Sequence, residues 1–161
     1  MKDFKENTLQ EYLDRLSARE PVPGGGSAAA LSSALGAALI AMVIEYSLGK
    51  GKPPAVEKKL KKILEKVIGF RKELLSLVDE DAKAYLGVVA ARKLDKKIQK
   101  TASKRAGRVP KLICRLSYQI VDMTPLVVEH GNPHLLSDVE VALELLLAGY
   151  HSALVMVRVN Q

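Results

Sequence analysis

The chain has 161 residues, a formal net charge of +7 and one cysteine, Cys114. That length fits a single domain with a sizeable core, since a chain near 150 residues buries roughly 68–70% of its unfolded surface. One thiol excludes an internal disulfide and favours a reducing compartment, and the opening MKDFKENTLQEYLDRL has no apolar run like that of a signal peptide, so a cytoplasmic location is expected.

In chain order, Thr8 with Glu11 reads as a capping box opening a short amphipathic helix on Leu9, Tyr12, Leu13 and Leu16. It ends near Arg19, before Pro21 and Pro23. Gly24, Gly25 and Gly26 follow. They lack the Lys-Ser/Thr ending of a phosphate loop and no strand precedes them, which rules that motif out. They fit instead the N-terminus of a helix whose free amides attract carboxylate or phosphate, with room for a ligand against the backbone. Ser27 is placed to cap that helix.

The run from Ser27 to Ile44 carries no charge and approaches the length of a membrane span, yet its many small residues mark it as a core helix, and no membrane is expected. Ser32, Ser33, Gly36, Ala37 and Ala41 would let another helix approach closely. Burial on nearly all sides implies a subunit interface as well as an intrachain core. The helix stops at Gly49 to Gly51, and Pro53 and Pro54 signal a new start.

From Ala55 to about Leu94, apolar residues recur at the helical period through Leu60, Leu64, Val67, Leu74, Leu77, Val78, Tyr85 and Val88. Asp81 falls on that stripe, where a carboxylate must be paired, protonated or facing a cavity. Asp79 is expected on the solvated side. A polar stretch, DKKIQKTASKRAGRV, precedes a helix from Pro110 to His130 with a kink at Pro125. After Gly131, Asn132 and Pro133, Ser137 and Glu140 read as a second capping box for a last helix from Asp138 to about Val157.

His130 and His134 are separated by Gly131 and Pro133, which breaks helical ligand spacing, and no third ligand is evident, so no metal site is expected. His151 reads as a core residue. The positive charge is concentrated in 50–66 and 92–115, which suits an anionic ligand. The scarcity of aromatics there argues against nucleic acid. The predicted fold is all-α, an antiparallel bundle of about five helices around a long central one.

Five segments in order carry a resemblance. PVPGGGSAAALSSALGAALIAMV, SLVDEDAKAY, RVPKL, GNPHLLSDVEVA and SALVMVRVN are similar to the motifs of the cyclodeaminase/cyclohydrolase family, the C-terminal half of formiminotransferase-cyclodeaminase and its stand-alone relatives. The resemblance implies an all-α homodimer with a tetrahydrofolate site near the dimer interface and no cofactor beyond the folate substrate. Its members close formimino-tetrahydrofolate to the methenyl form with loss of ammonia, or hydrolyse the methenyl form to formyl-tetrahydrofolate.

On that basis Gly24, Gly25, Gly26 and Ser27 would line the pocket, and Asp81, Asn132, Ser137 and Asp138 would supply polar groups. Asp81, with Asp138 second, would transfer the proton, and Lys50, Lys52 and the basic 92–115 stretch would attract a glutamate tail. Met156 stands where the family usually has asparagine, and Glu45 where it has a small or amidic residue. The chain stops at Gln161, after the closing motif, where family members continue into a further helix. Two function classes therefore meet the pattern: a folate one-carbon enzyme, and a non-catalytic helical dimer that binds a folate or a protein partner.

Overall fold

The computed structural model describes residues 3–160 and is all-helical. Six α-helices follow one another: α1 (Leu9–Ser17), α2 (Gly25–Ser47), α3 (Pro54–Ala91), α4 (Lys96–Ala106), α5 (Arg108–His130) and α6 (Leu136–Val159). Short 3-10 turns lie at Phe4–Glu6 and Pro133–Leu135, and no strand occurs among the described residues.

α2 is the hub, packed against α3, α5 and α6. Its small residues do what the sequence requires of them. Ser32 Oγ donates to the Leu145 carbonyl at 2.8 Å, and Ser33 Oγ meets Ser117 Oγ at 2.7 Å. A Cβ on Gly36 would lie 2.7 Å from the Ala142 carbonyl oxygen, and one on Gly149 2.9 Å from that of Ala29, so α2 and α6 are in backbone-to-backbone contact. Ile40, Val43 and Ile44 on α2 join Leu60, Leu74, Ile113, Ile120 and Leu146 in the core. α2 and α6 are both long and apolar enough to cross a membrane, but α2 is mostly enclosed by its neighbours.

Helix ends match the sequence at several points. Thr8 and Glu11 form both halves of their capping box. Gly49 and Gly51 adopt φ of 67° and 70°, the left-handed region that stops a helix at glycine. α5 runs through Pro125. The carbonyl of Val121, which proline cannot bond, accepts the Thr124 hydroxyl at 2.7 Å.

Other expectations are corrected. The polar stretch after Leu94 holds α4, opened by Asp95, whose carboxylate accepts the N–H groups of Lys97 and Ile98. No residue of α4 is buried, which is why no apolar stripe announced it. The Ser137–Glu140 capping box does not form. Asn132 caps the preceding 3-10 turn instead, and Ser137 lies inside α6. On α1, Leu9 and Leu13 point outward and only Tyr12 is fully buried. His151 is exposed and stacks edge-on against Tyr150.

Candidate active site

The N-terminus of α2 is built without a side-chain cap. Gly24 occupies the N-cap position, Gly25 opens the helix, and Ser27 sits within its first turn rather than capping it. The free N–H of Ser27 faces the carboxyl group of Asp81 on α3 and favours its charged form. Gly26 is pressed against this carboxyl so closely that any Cβ there would collide with it. The third glycine is thus explained by Asp81 itself. A Cβ on Gly25 would meet Met156 Sδ at an ordinary 3.7 Å, and one on Gly24 would meet nothing.

Above this junction lies a cavity of about 360 Å³, within the range of small-molecule sites. Gly24, Gly25, Gly26 and Asp81 line it, with Tyr85 and Val88 from α3, Arg92 at the C-cap of α3, Ala106 from α4, and Met156 and Asn160 from the end of α6. Burial pushes the Asp81 carboxyl above its ordinary pKa, and the Ser27 N–H opposes that shift. The site therefore combines a carboxyl of raised proton affinity, a helix N-terminus and one guanidinium. Among the described residues no cluster of His, Cys, Asp and Glu could hold a metal ion.

The two aspartates of the α3 motif take places opposite to part of the expectation. Asp79, expected in solvent, is 3% exposed and accepts the Phe4 N–H through Oδ1, with no partner for Oδ2 among the described residues. The N-terminal segment covers that side of α3, which periodicity within α3 cannot reveal. Tyr85, expected in the core stripe, is 43% exposed and faces the cavity. Ser27 is completely buried, and its hydroxyl faces the Tyr12 hydroxyl at 3.0 Å rather than the cavity.

The remaining candidates lie elsewhere. α2 spans about 34 Å at 1.5 Å per residue, and Asn132 is at its far end, where its N–H donates to Ser47 Oγ at 2.8 Å. Ser137 and Asp138 follow in the first turn of α6, and Lys50 and Lys52 lie in the loop after Ser47. Within one chain the structure does not bring these five to the cavity. Sequence reasoning missed Arg92 and Asn160 as lining groups. For Arg92 the signal was spacing, because Asp81, Tyr85, Val88 and Arg92 follow one another at steps of three and four.

Residues 8–161 match the family model described as formiminotransferase-cyclodeaminase. The chain is 37% identical over 163 residues to the methenyltetrahydrofolate cyclohydrolase of Methylorubrum extorquens, covering 95% of this chain and 78% of that protein. It is 29% identical to the formimidoyltransferase-cyclodeaminase of Rattus norvegicus, again over 95% of this chain but only 30% of that longer protein. The crystal structure of formiminotetrahydrofolate cyclodeaminase from Thermotoga maritima superposes with a TM-score of 0.93 at 29% identity, covering 97% of this chain and 79% of that one. The chain belongs to the formiminotransferase-cyclodeaminase family.

Proposed function

We propose that this protein is an enzyme of folate one-carbon metabolism that acts on formimino- or methenyl-tetrahydrofolate by cyclodeamination or cyclohydrolysis, using no cofactor beyond its folate substrate. The observation that carries the reading is the Asp81 carboxyl, raised in pKa by burial and placed at an open cavity beside a glycine-lined helix N-terminus. The cyclohydrolase and cyclodeaminases it resembles support the substrate class.

In cyclodeamination the folate N10 attacks the formimino carbon on N5. N10 gives up its proton as it attacks, the bond from that carbon to the departing imino nitrogen breaks, and this nitrogen leaves as ammonia after gaining the N10 proton and one more. In cyclohydrolysis water adds to the methenyl carbon, the bond from that carbon to one of its two nitrogens breaks to open the ring, and of the two protons water gives up one goes to the freed nitrogen and the other is released. Both need a group that holds or accepts a proton near neutrality, and a carboxyl raised by desolvation suits either. Gly24 and Gly25 leave the substrate room against the backbone, and Arg92 offers a cation at the cavity. The exposed Lys97, Lys100, Lys104 and Arg105 on α4 would draw a glutamate tail.

Asn132, Ser137, Asp138, Lys50 and Lys52 join the site through a second copy of the chain. A two-fold axis across the middle of α2 reverses that helix and carries the Asn132 end of one protomer toward the Gly24 end of the other. Leu35 and Tyr46 on α2, with Val141, Leu147 and Val155 on α6, give the apolar surface for such a pairing. One observation favours the non-catalytic reading, in which the same fold only binds: Met156, rather than a polar residue, lines the cavity wall.

Near-ultraviolet absorbance of methenyl-tetrahydrofolate, followed with wild type and with Asp81→Asn, tests the enzyme. The amide oxygen can still accept the Ser27 N–H, so Asp81→Asn should fold normally while turnover falls by roughly 10²-fold or more. An active but destabilised variant would sink the assignment. Light scattering at micromolar concentration should return at least twice the chain mass, and a single-chain mass would remove the second-copy contribution.

A further inference from the structure

Phe4, Tyr12, Ser27 and the two aspartates of α3 form one connected path. The N-terminal segment is clamped to α3 at two points, where the Phe4 N–H donates to Asp79 and Lys83 Nζ meets Asp3 Oδ1 at 2.9 Å. The Phe4 ring, 3% exposed, packs edge-on to Tyr12 with centroids 6.4 Å apart, and Arg15 lies over its face at 4.7 Å. Tyr12, itself 4% exposed, turns its hydroxyl to Ser27 Oγ at 3.0 Å. The first turn of α2 that Ser27 belongs to lies directly against the Asp81 carboxyl at Gly26, with the Ser27 N–H facing it.

We propose that Tyr12 is a positioning residue for Asp81: the clamped N-terminal segment holds the Ser27 side chain, and so fixes the first turn of α2 with its N–H aimed at the Asp81 carboxyl. The physical reason lies in how that turn is made. Gly24, Gly25 and Gly26 give the turn between the buried Val22 and Pro23 and the helix no side chain before Ser27, and glycine backbone has the most freedom to lose. A hydroxyl pair sealed from water supplies the missing restraint, because neither oxygen has a solvent alternative. Gly26, in contact with the same carboxyl, passes any shift of the turn directly to Asp81.

Around Asp81 the ionisable groups are Tyr12 from α1 and Asp79, Tyr85 and Arg92 from α3 itself. The residues of α2, α4 and α6 that line the cavity carry none. Loosening the Ser27 N–H removes what opposes the desolvation of Asp81.

This inference rests on the proposed role of Asp81 only for its consequence in turnover, and the test separates the two. The carboxyl carbon of Asp81, assigned by its loss in Asp81→Asn, is titrated by NMR in wild type, Tyr12→Phe, Ser27→Ala and the double variant. Tyr12→Phe keeps the ring against Phe4 and removes only the hydroxyl. Its Asp81 midpoint should move to higher pH, Ser27→Ala should match it, and the double variant should show no further shift, as expected when two residues act through one contact. An unchanged midpoint in Tyr12→Phe, or additive shifts in the double variant, overturns the proposal. On the same preparations kcat should fall about tenfold with KM unchanged, less than the roughly 10²-fold that a 1 Å misplacement can cost. A shifted midpoint with wild-type turnover would leave the positioning in place and remove Asp81 from the chemistry.

Discussion

The two ends of α2 are finished by opposite means. At its N-terminus, three glycines leave the backbone bare, a carboxyl from α3 lies against the first turn, and a cavity stands open beside it. At its C-terminus, Ser47 Oγ donates to the Val43 carbonyl at 2.6 Å and accepts the Asn132 N–H at 2.8 Å. Gly131 closes over the same hydroxyl, where a Cβ would stand 3.6 Å from it. One end is held by an ionisable group that retains proton affinity, the other by a neutral, filled junction. Both satisfy the helix, but only the first leaves a group free to do chemistry, so the two ends should respond differently to substitution.

The largest difference is expected from Gly25→Val. Its Cβ fits beside Met156, but the branches project into the cavity, so substrate binding should be lost while helicity and melting temperature stay close to wild type. Ser47→Ala at the other end should do the reverse. It removes a buried hydroxyl with two partners and should cost about 1–3 kcal/mol of stability with substrate affinity retained per folded molecule. Fluorescence or calorimetric binding of a tetrahydrofolate derivative, with thermal melts on the same samples, reads both. If Gly25→Val binds normally, the glycine end is only a helix entry and the contrast between the ends disappears.

How much of this was legible in the sequence depends on whether a residue's neighbours lie on its own helix. The capping box at Thr8, the glycine stops at Gly49 and Gly51, and the close packing at Gly36 all follow from local rules or from side-chain size. Asp81 stood out because it interrupts an apolar stripe, and it does face a cavity. Asp79 could not be placed the same way, since the element that buries it is a 3-10 turn 75 residues earlier in the chain. Arg92 entered only as the first cation of the basic 92–115 stretch, because only the path of α3 separates it from the solvated lysines nearby. The split of Asn132, Ser137 and Asp138 from the glycines was equally hidden. Their distance is set by the length of α2, not by their own motif.

The smallest effect isolates what burial alone does to a carboxyl next to the site. Asp79 lies two residues before Asp81 on α3 but is sealed, and desolvation, its first cause, raises its pKa, aided by the Asp3 carboxylate and opposed by the Phe4 N–H. A folded-state pKa above the unfolded one means that the native state holds the proton more tightly. The stabilisation this gives is complete below the unfolded value of 3.8 and is lost as pH rises through the folded value. Asn at this position keeps an oxygen for the Phe4 N–H and cannot ionise, so Asp79→Asn should be spared that loss. Urea midpoints taken from pH 3.5 to pH 7 should therefore show the variant gaining on wild type as pH rises, with the gain levelling off once Asp79 is ionised. Turnover should change little, because Asp79 does not line the cavity. A difference that does not vary with pH would mean that the Phe4 N–H offsets desolvation in full. The sealed carboxyl would then be no guide to the open one, at which burial outweighs the Ser27 N–H that opposes it.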